Sequence, residues 1–179
     1  MFPDKKYNII YADPPWNFKN YSNKTSNSNV NQHYQTMSMQ EIKDLPVQDI
    51  ADKDCILFMW CTDPLLPKQL EVVDAWGFTY KTVGFYWIKE NKNQQKSLYW
   101  KGVGYWTRSN PEICVIATKG KPKRIGFNVD KLTFATRDIH SKKPQIVRDK
   151  IIELMGDIPR IELFARQTVE GWDSWGNQV

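Results

Sequence analysis

Asp13-Pro14-Pro15-Trp16 places a carboxylate, two consecutive prolines and an indole directly after the apolar run Asn8-Ile9-Ile10-Tyr11-Ala12. An exocyclic amino group conjugated to a heteroaromatic ring is a poor nucleophile, because its lone pair is delocalised. A carboxylate and a backbone carbonyl that each accept one N–H hold such a nitrogen nearer a tetrahedral geometry. An aromatic face then clamps the ring, as in enzymes that handle single extruded bases. Asp13, the Pro14 carbonyl and Trp16 supply those three parts. The plainer alternative is a strand-to-turn corner with an Asx-type cap and a core tryptophan. Residues 8–12 are β-branched and aromatic and predict a short buried strand, and the prolines, lacking N–H donors, end it. In an open α/β sheet, ligands bind beyond the carboxyl ends of the strands. Asp13 stands at such an end, beside two φ angles pinned by proline rings.

The same string begins a series that continues along nearly the whole chain. Tyr34-Gln35-Thr36-Met37-Ser38 is followed by Gly104-Tyr105-Trp106-Thr107-Arg108 with Glu112 and Cys114, then by Thr118-Lys119-Gly120. His140-Ser141-Lys142-Lys143-Pro144, Ile161-Glu162-Leu163-Phe164-Ala165-Arg166 and Trp175-Gly176-Asn177-Gln178 complete it. In that order these strings resemble the MT-A70 family of adenine-N6 methyltransferases, which use S-adenosylmethionine and release S-adenosylhomocysteine. The resemblance implies a Rossmann-like class I methyltransferase fold of the α/β class, in one domain over residues 1–179, with the catalytic motif first and the cofactor motif last. It implies a catalytic corner of Asp13, Pro14, Pro15 and Trp16. Tyr34 then brackets the target base, and Trp106, Arg108 and Glu112 face the substrate. Lys143 meets the methionine carboxylate of the cofactor, and Asp13 also meets its amino group. Arg166, Thr168, Asn177 and Gln178 match positions around its ribose and adenine, although the messenger-RNA enzyme of the family has a histidine where Thr168 stands.

Bottom-up, the cofactor site is less legible. There is no glycine-rich G-x-G-x-x-G turn. Glu162 and Arg166 bracket the end of an apolar strand, where a carboxylate and a guanidinium suit ribose hydroxyls and a carboxylate tail; the alternative is a surface ion pair. No metal is needed, and neither His33 nor His140 is required as a general base.

A chain of 179 residues is long enough for one real core. Its first residues lack the apolar stretch of a signal peptide, and no apolar run reaches the length of a membrane span. Cys55, Cys61 and Cys114 have no metal-ligand spacing; they read as reduced core thiols, which suits a cytoplasmic protein. The net charge of +5 is unevenly spread. Residues 1–80 carry 7 basic and 10 acidic side chains, residues 81–150 carry 16 and 5, and residues 151–179 carry 2 and 5. A strongly basic middle with interleaved aromatics is the footprint of a polyanion binder, the alternative being an ordinary solvated face. Within it, Lys121, Lys123 and Arg124 form a cationic turn read as phosphate contact.

The elements that must position these groups follow in order. Residues 17–35, rich in asparagine and serine, predict a loop, and Ser38 with Glu41 has capping-box spacing. Residues 55–61 are apolar throughout and predict a strand buried on both faces. Asp63 is expected to cap a helix with Pro64 at its first position and Gly77 past its end. Strands are expected over 78–89, 112–118, 132–135 and 160–164, and a helix from Pro144 to Gly156 with Val147, Ile151, Leu154 and Met155 on one face. Alternating strands and helices argue a mostly parallel sheet. The residues after Phe164 are expected to be turn-like, leaving a small sheet with an edge open to a second copy or to a recognition subunit. The functional expectation is N6 methylation of adenine in nucleic acid, DNA before RNA. Methylation of another amino acceptor, or a non-catalytic nucleic-acid-binding subunit, are the other classes.

Overall fold

The computed structural model describes residues 1–17, 36–93, 95, 97–104, 106–137 and 142–179. Its centre is β1 (Tyr7–Ala12), a strand with no exposed residue. Such a strand needs partners on both edges and cover on both faces. It pairs in parallel with β2 (Ala51–Cys61) on one side and β6 (Arg160–Leu163) on the other. Beyond β2 lie β4 (Pro111–Lys119), β3 (Thr79–Glu90) and the edge strand β5 (Leu132–Thr136). Beyond β6 lies β7 (Asp173–Trp175). The seven-stranded order is β5-β3-β4-β2-β1-β6-β7. Among the described strands only β4 runs antiparallel to its neighbours, so the sheet is mostly parallel.

Successive strand residues face opposite ways, and each face has its own helices. Ile10, Ala12, Leu57, Met59 and Cys61 pack with Ile42 of α1 (Met39–Lys43), with Val72 and Val73 of α2 (Leu66–Ala75) and with Trp76, which caps α2. Ile9, Tyr11, Phe58, Trp60, Phe85, Trp87 and Cys114 pack with Val147, Ile151 and Met155 of α3 (Gln145–Met155). With α1 and α2 on one face and α3 on the other, β1 occupies the point where the winding reverses, the crevice position of open α/β sheets.

Several expectations meet their structure here. Glu41 N–H donates to Ser38 Oγ at 3.2 Å and Ser38 N–H to Glu41 Oε2 at 2.7 Å, completing the capping box. Gly77 ends α2 in the left-handed region at φ +78°. Two expectations need correction. Asp63 does not cap α2: residues Asp63–Leu65 form a 3-10 turn, and Gln69 reaches back instead, accepting from Thr62 N–H at 3.0 Å and donating to Thr62 Oγ1 at 3.2 Å. The tail is not merely turn-like, because residues 173–175 pair with β6 and extend the sheet to seven strands. Three residues suffice there because Trp172 sinks into the core against Tyr11, with ring centroids 5.8 Å apart. All three cysteines are buried and unbridged, with Cys55 and Cys61 on one face. Among the described residues no helix is long and apolar enough to cross a membrane.

Ile151 carries no exposure and faces the core beneath β1. Ile151→Ala is expected to lower unfolding stability by about 2–5 kcal/mol, the cost of a buried aliphatic cavity. Urea denaturation monitored by tryptophan fluorescence measures it, with the denaturant slope unchanged.

Candidate active site

The carboxyl ends of β1, β2, β6 and β7 form one rim of the sheet, and the diproline corner leaves β1 at its middle. Asp13 N–H still reaches across to the Leu163 carbonyl at 3.4 Å, and Met37 N–H donates to the Pro15 carbonyl at 3.0 Å. The corner is therefore held from both sides. Trp16 N–H donates to the Pro14 carbonyl at 2.8 Å; a carbonyl has two lone pairs, so a second donor is still accommodated. Phe164, directly after β6, sits at φ 61°, a costly region for a bulky side chain and one that clusters at functional sites.

The Trp16 ring is employed otherwise than expected. It is only 7% exposed, packs in the α1–α2 core, and its indole donates to the Trp60 carbonyl at 3.0 Å. Trp60 in turn donates its indole N–H to the Tyr11 hydroxyl at 2.7 Å. Trp16 is thus the strut that fixes the corner to β2 rather than a ring standing open to a base. The turn after Pro15 puts the indole on the face of Ala12, not on that of Tyr11.

Asp13 belongs to a row of charges. Its Oδ1 lies 2.9 Å from Lys143 Nζ, which also lies 3.1 Å from Glu112 Oε2. Glu112 Oε1 is 2.5 Å from Lys89 Nζ. The Asp13 and Glu112 side chains are 17% and 20% exposed and that of Lys143 9%, so the row is shielded but reachable. Its floor is aromatic, with Lys143 Nζ 5.4 Å from the Trp60 ring centre. Burial alone would lift the Glu112 carboxyl, but Lys143 and Lys89 outweigh it and carry its pKa down to about 2. Burial also opposes the Lys143 ammonium, yet Asp13 and Glu112 hold it above the ordinary lysine range. Burial, with Asp13 nearby, pushes the Cys61 thiol up to about 12, and burial lifts Cys114 as well. Neither is a thiolate nucleophile at neutral pH.

The other expected residues divide. Arg166 follows β6, and Asn177 and Gln178 follow β7, so all three lie on the Asp13 rim; Thr168 is exposed in the connection between the two strands. Gly176 packs so closely on the Ala165 carbonyl that a Cβ there would collide with it. Glu162, expected on a ribose, has both oxygens engaged by Arg148 of α3, Oε2 at 2.8 Å from Nε and Oε1 at 2.7 Å from Nη2. That buried fork, over the Tyr11 ring, ties α3 to β6.

Trp106 and Arg108 are exposed on the β3–β4 hairpin, which projects from the Asp13 rim. Lys121, Lys123 and Arg124 are at the opposite end of the sheet. Because β4 is antiparallel to β2, its exit at Lys119 lies beside Cys55, and Lys121 lines a cleft with Asn8, Asp54 and Lys123. A six-residue strand separates that end from Asp13 by roughly 20 Å, so the cationic turn does not share a surface with the corner. Gly120 makes the turn at φ +65°, where a Cβ would strike the Lys53 carbonyl. Tyr34, Tyr105, His33 and His140 lie outside the described residues. Two contributors escaped the sequence reading. Lys89 shares the strand parity of Phe85 and Trp87, and Arg148 sits beside Val147 on the buried face of α3; a cation at a core position was the available signal.

The MT-A70 family model matches residues 7–178. The type II methyltransferase M.MunI of Mycoplasma sp is 36% identical over 196 residues, which cover all of this chain and 80% of that protein. The N(6)-adenosine-methyltransferase MT-A70-like protein of Arabidopsis thaliana is 28% identical, over 97% of this chain and 24% of its own length. The N(6)-adenine-specific methyltransferase METTL4 of Mus musculus is 29% identical, over 98% and 38%. The chain therefore spans well under half of the two eukaryotic relatives.

Two outcomes follow from the charges. Glu112 has a folded pKa of about 2 against about 4.3 when unfolded. Its contribution to stability is thus present above about pH 4.3 and lost as pH falls through about 2. Glu112→Gln is expected to flatten the acid limb of the stability profile between about pH 5 and 2, read by thermal unfolding across that range. Arg148→Met leaves the buried Glu162 unpaired and is expected to cost about 3–5 kcal/mol, with the double variant Arg148→Met, Glu162→Leu regaining most of it; urea denaturation checks both.

Proposed function

The chain belongs to the MT-A70 family, and from that premise we propose that it transfers a methyl group from S-adenosylmethionine to the exocyclic N6 amino group of adenine in nucleic acid, with DNA preferred to RNA, in the cytoplasm. The observation that carries the proposal is the position of Asp13. It leaves β1 at the reversal point of the sheet, on a corner held by Leu163 and Met37, and remains partly open. A carboxylate placed so is preorganised for charge that develops on an amine during attack.

The residues act as follows. Asp13 accepts one N–H of the adenine amine and the Pro14 carbonyl accepts the other, which draws the nitrogen lone pair out of conjugation and directs it along the attack line. Trp16, braced on Trp60, holds the corner so that these two acceptors keep their spacing. Lys143 fixes one Asp13 oxygen and Glu112 fixes Lys143. For the cofactor, the donor set on the rim fits: the Lys143 ammonium, with three N–H donors of which Asp13 and Glu112 take two, suits the methionine carboxylate. Arg166, Thr168, Asn177 and Gln178 suit ribose and adenine. Glu162, forked by Arg148, serves the scaffold. When bound, S-adenosylmethionine supplies an electrophilic methyl group on a sulfonium sulfur.

The β3–β4 hairpin, with Lys101, Trp106 and Arg108 on the same rim, supplies cations and an aromatic ring to an extruded strand. DNA is preferred because the relative covered along most of its length is a bacterial type II methyltransferase. A second copy or a recognition subunit supplies further nucleic-acid contact.

Radiolabelled methyl transfer to matched single- and double-stranded DNA and RNA tests this, with the product digested to nucleosides. The label is expected in N6-methyladenine, with DNA the better acceptor. Asp13→Ala is expected to lower kcat by at least about 10²–10³-fold, measured below the lowered melting temperature that the loss of one Lys143 partner brings. Turnover like that of the wild type in Asp13→Ala, or label on another base, overturns the assignment.

A further inference from the structure

Lys89 has no part in the scheme above, yet it begins the row of charges that ends at Asp13. It is 9% exposed on β3, and a cation so placed needs partners. One is Glu112, 2.5 Å away. The others are two indoles: Lys89 Nζ lies 5.3 Å from the centre of the Trp87 ring and 5.3 Å from that of Trp100. Trp100 comes from the β3–β4 hairpin and is built into place. Its N–H donates to the Lys89 carbonyl at 2.9 Å, and its carbonyl accepts from Asn110 Nδ2 at 2.5 Å. Gly102 lets the ring lie where it does, because a Cβ there would come within 2.5 Å of the indole. Arg137 lies on the same ring, 4.1 Å from its centre.

We infer that Lys89 is a positioning residue for the methyl transfer: clamped between Trp87 and Trp100, it fixes Glu112 and, through Lys143, the orientation of Asp13. Lys143 is shared by two carboxylates, Asp13 and Glu112. While Lys89 satisfies Glu112 Oε1, Glu112 needs Lys143 only through Oε2, and Asp13 keeps its share. Without Lys89, Glu112 has one cation left and draws it away from Asp13. Trp100 rides on the hairpin that bears Trp106 and Arg108, so nucleic acid seated on the hairpin also sets the clamp.

The inference rests on the methyltransferase reading, and the experiment separates the two. Lys89→Met keeps the length of the side chain and removes its charge; Lys89→Arg keeps the charge. For Lys89→Met, kcat is expected to fall about ten- to a hundredfold, as when the partner of an active-site group is removed, with KM for both substrates within about twofold. Lys89→Arg is expected to restore most of kcat. A carbon-13 NMR titration of the Glu112 carboxyl supplies a readout independent of turnover. The groups that face Glu112 are Lys89 from β3 and Lys143 ahead of α3, with Asp13 beyond Lys143, Cys114 along β4 and Arg137 across Trp100. Loss of Lys89 is expected to raise the Glu112 midpoint by about one pH unit or more. Unchanged kcat in Lys89→Met, equal losses in Lys89→Met and Lys89→Arg, or an unmoved Glu112 titration overturns the inference. A wild-type chain that methylates none of the nucleic acids retires the functional reading instead, while the Glu112 titration still decides whether Lys89 governs the row.

Discussion

An ammonium shared between two carboxylates is the interaction on which the site depends. Lys143 lies within 3.1 Å of both Asp13 and Glu112, and a shielded cation of this kind is tolerable only because both are there. The same sharing keeps Asp13 from collapsing onto a single partner. A carboxylate proposed to receive an amine has to be held in direction and still be approachable, and those demands conflict. A tight one-to-one ion pair would satisfy the first and defeat the second. Division of one cation between two acids meets both.

The scaffold explains why that division is possible. Glu112 and Lys89 come from β4 and β3, Asp13 directly follows β1, and Lys143 lies on the segment that enters α3, yet all four meet at the carboxyl rim of β1. Alternate residues just beneath them, Tyr11, Trp60 and Trp87, form an aromatic floor whose rings favour cations above them. The opposite face carries the brace: Trp16 packs there among α1 and α2 and donates its indole N–H to the Trp60 carbonyl, which locks the diproline corner to β2, while the Trp60 indole on the α3 face donates to the Tyr11 hydroxyl. Chemistry occupies one side and bracing the other, as the two-residue period of a strand allows.

What was legible in the chain and what was not divides along physical lines. The central strand, its diproline end and the alternation of strands and helices are local patterns, and they were readable. Asp13 stood out as a carboxylate at the end of an apolar strand, whereas Glu112 and Lys143 were reached only through the family resemblance. Pairing direction is not local: nothing in residues 111–119 declares β4 antiparallel, and that one reversal carries Lys121, Lys123 and Arg124 to the far end. Long-range partners were equally silent. Glu162 is claimed by Arg148 across the α3–β6 interface, and Trp16 is turned inward by a corner whose geometry its letters do not encode. The strand at residues 173–175 is too short for a periodicity to register, and its place is decided by Trp172 in the core.

The position of β1 also governs the order in which the molecule can assemble. Its two neighbours come from distant parts of the chain: Ile10 is opposite Leu57 on one edge and Ile161 on the other. During synthesis the first edge can be filled early, whereas the second waits for residues made some hundred and fifty positions later. Until then the strand presents an unpaired, largely apolar border, the kind that invites adhesion between nascent chains. Parallel pairing across so long an intervening loop is also slow to form. The diproline corner, whose Asp13 N–H needs the Leu163 carbonyl, therefore matures late, once the C-terminal strand is in place.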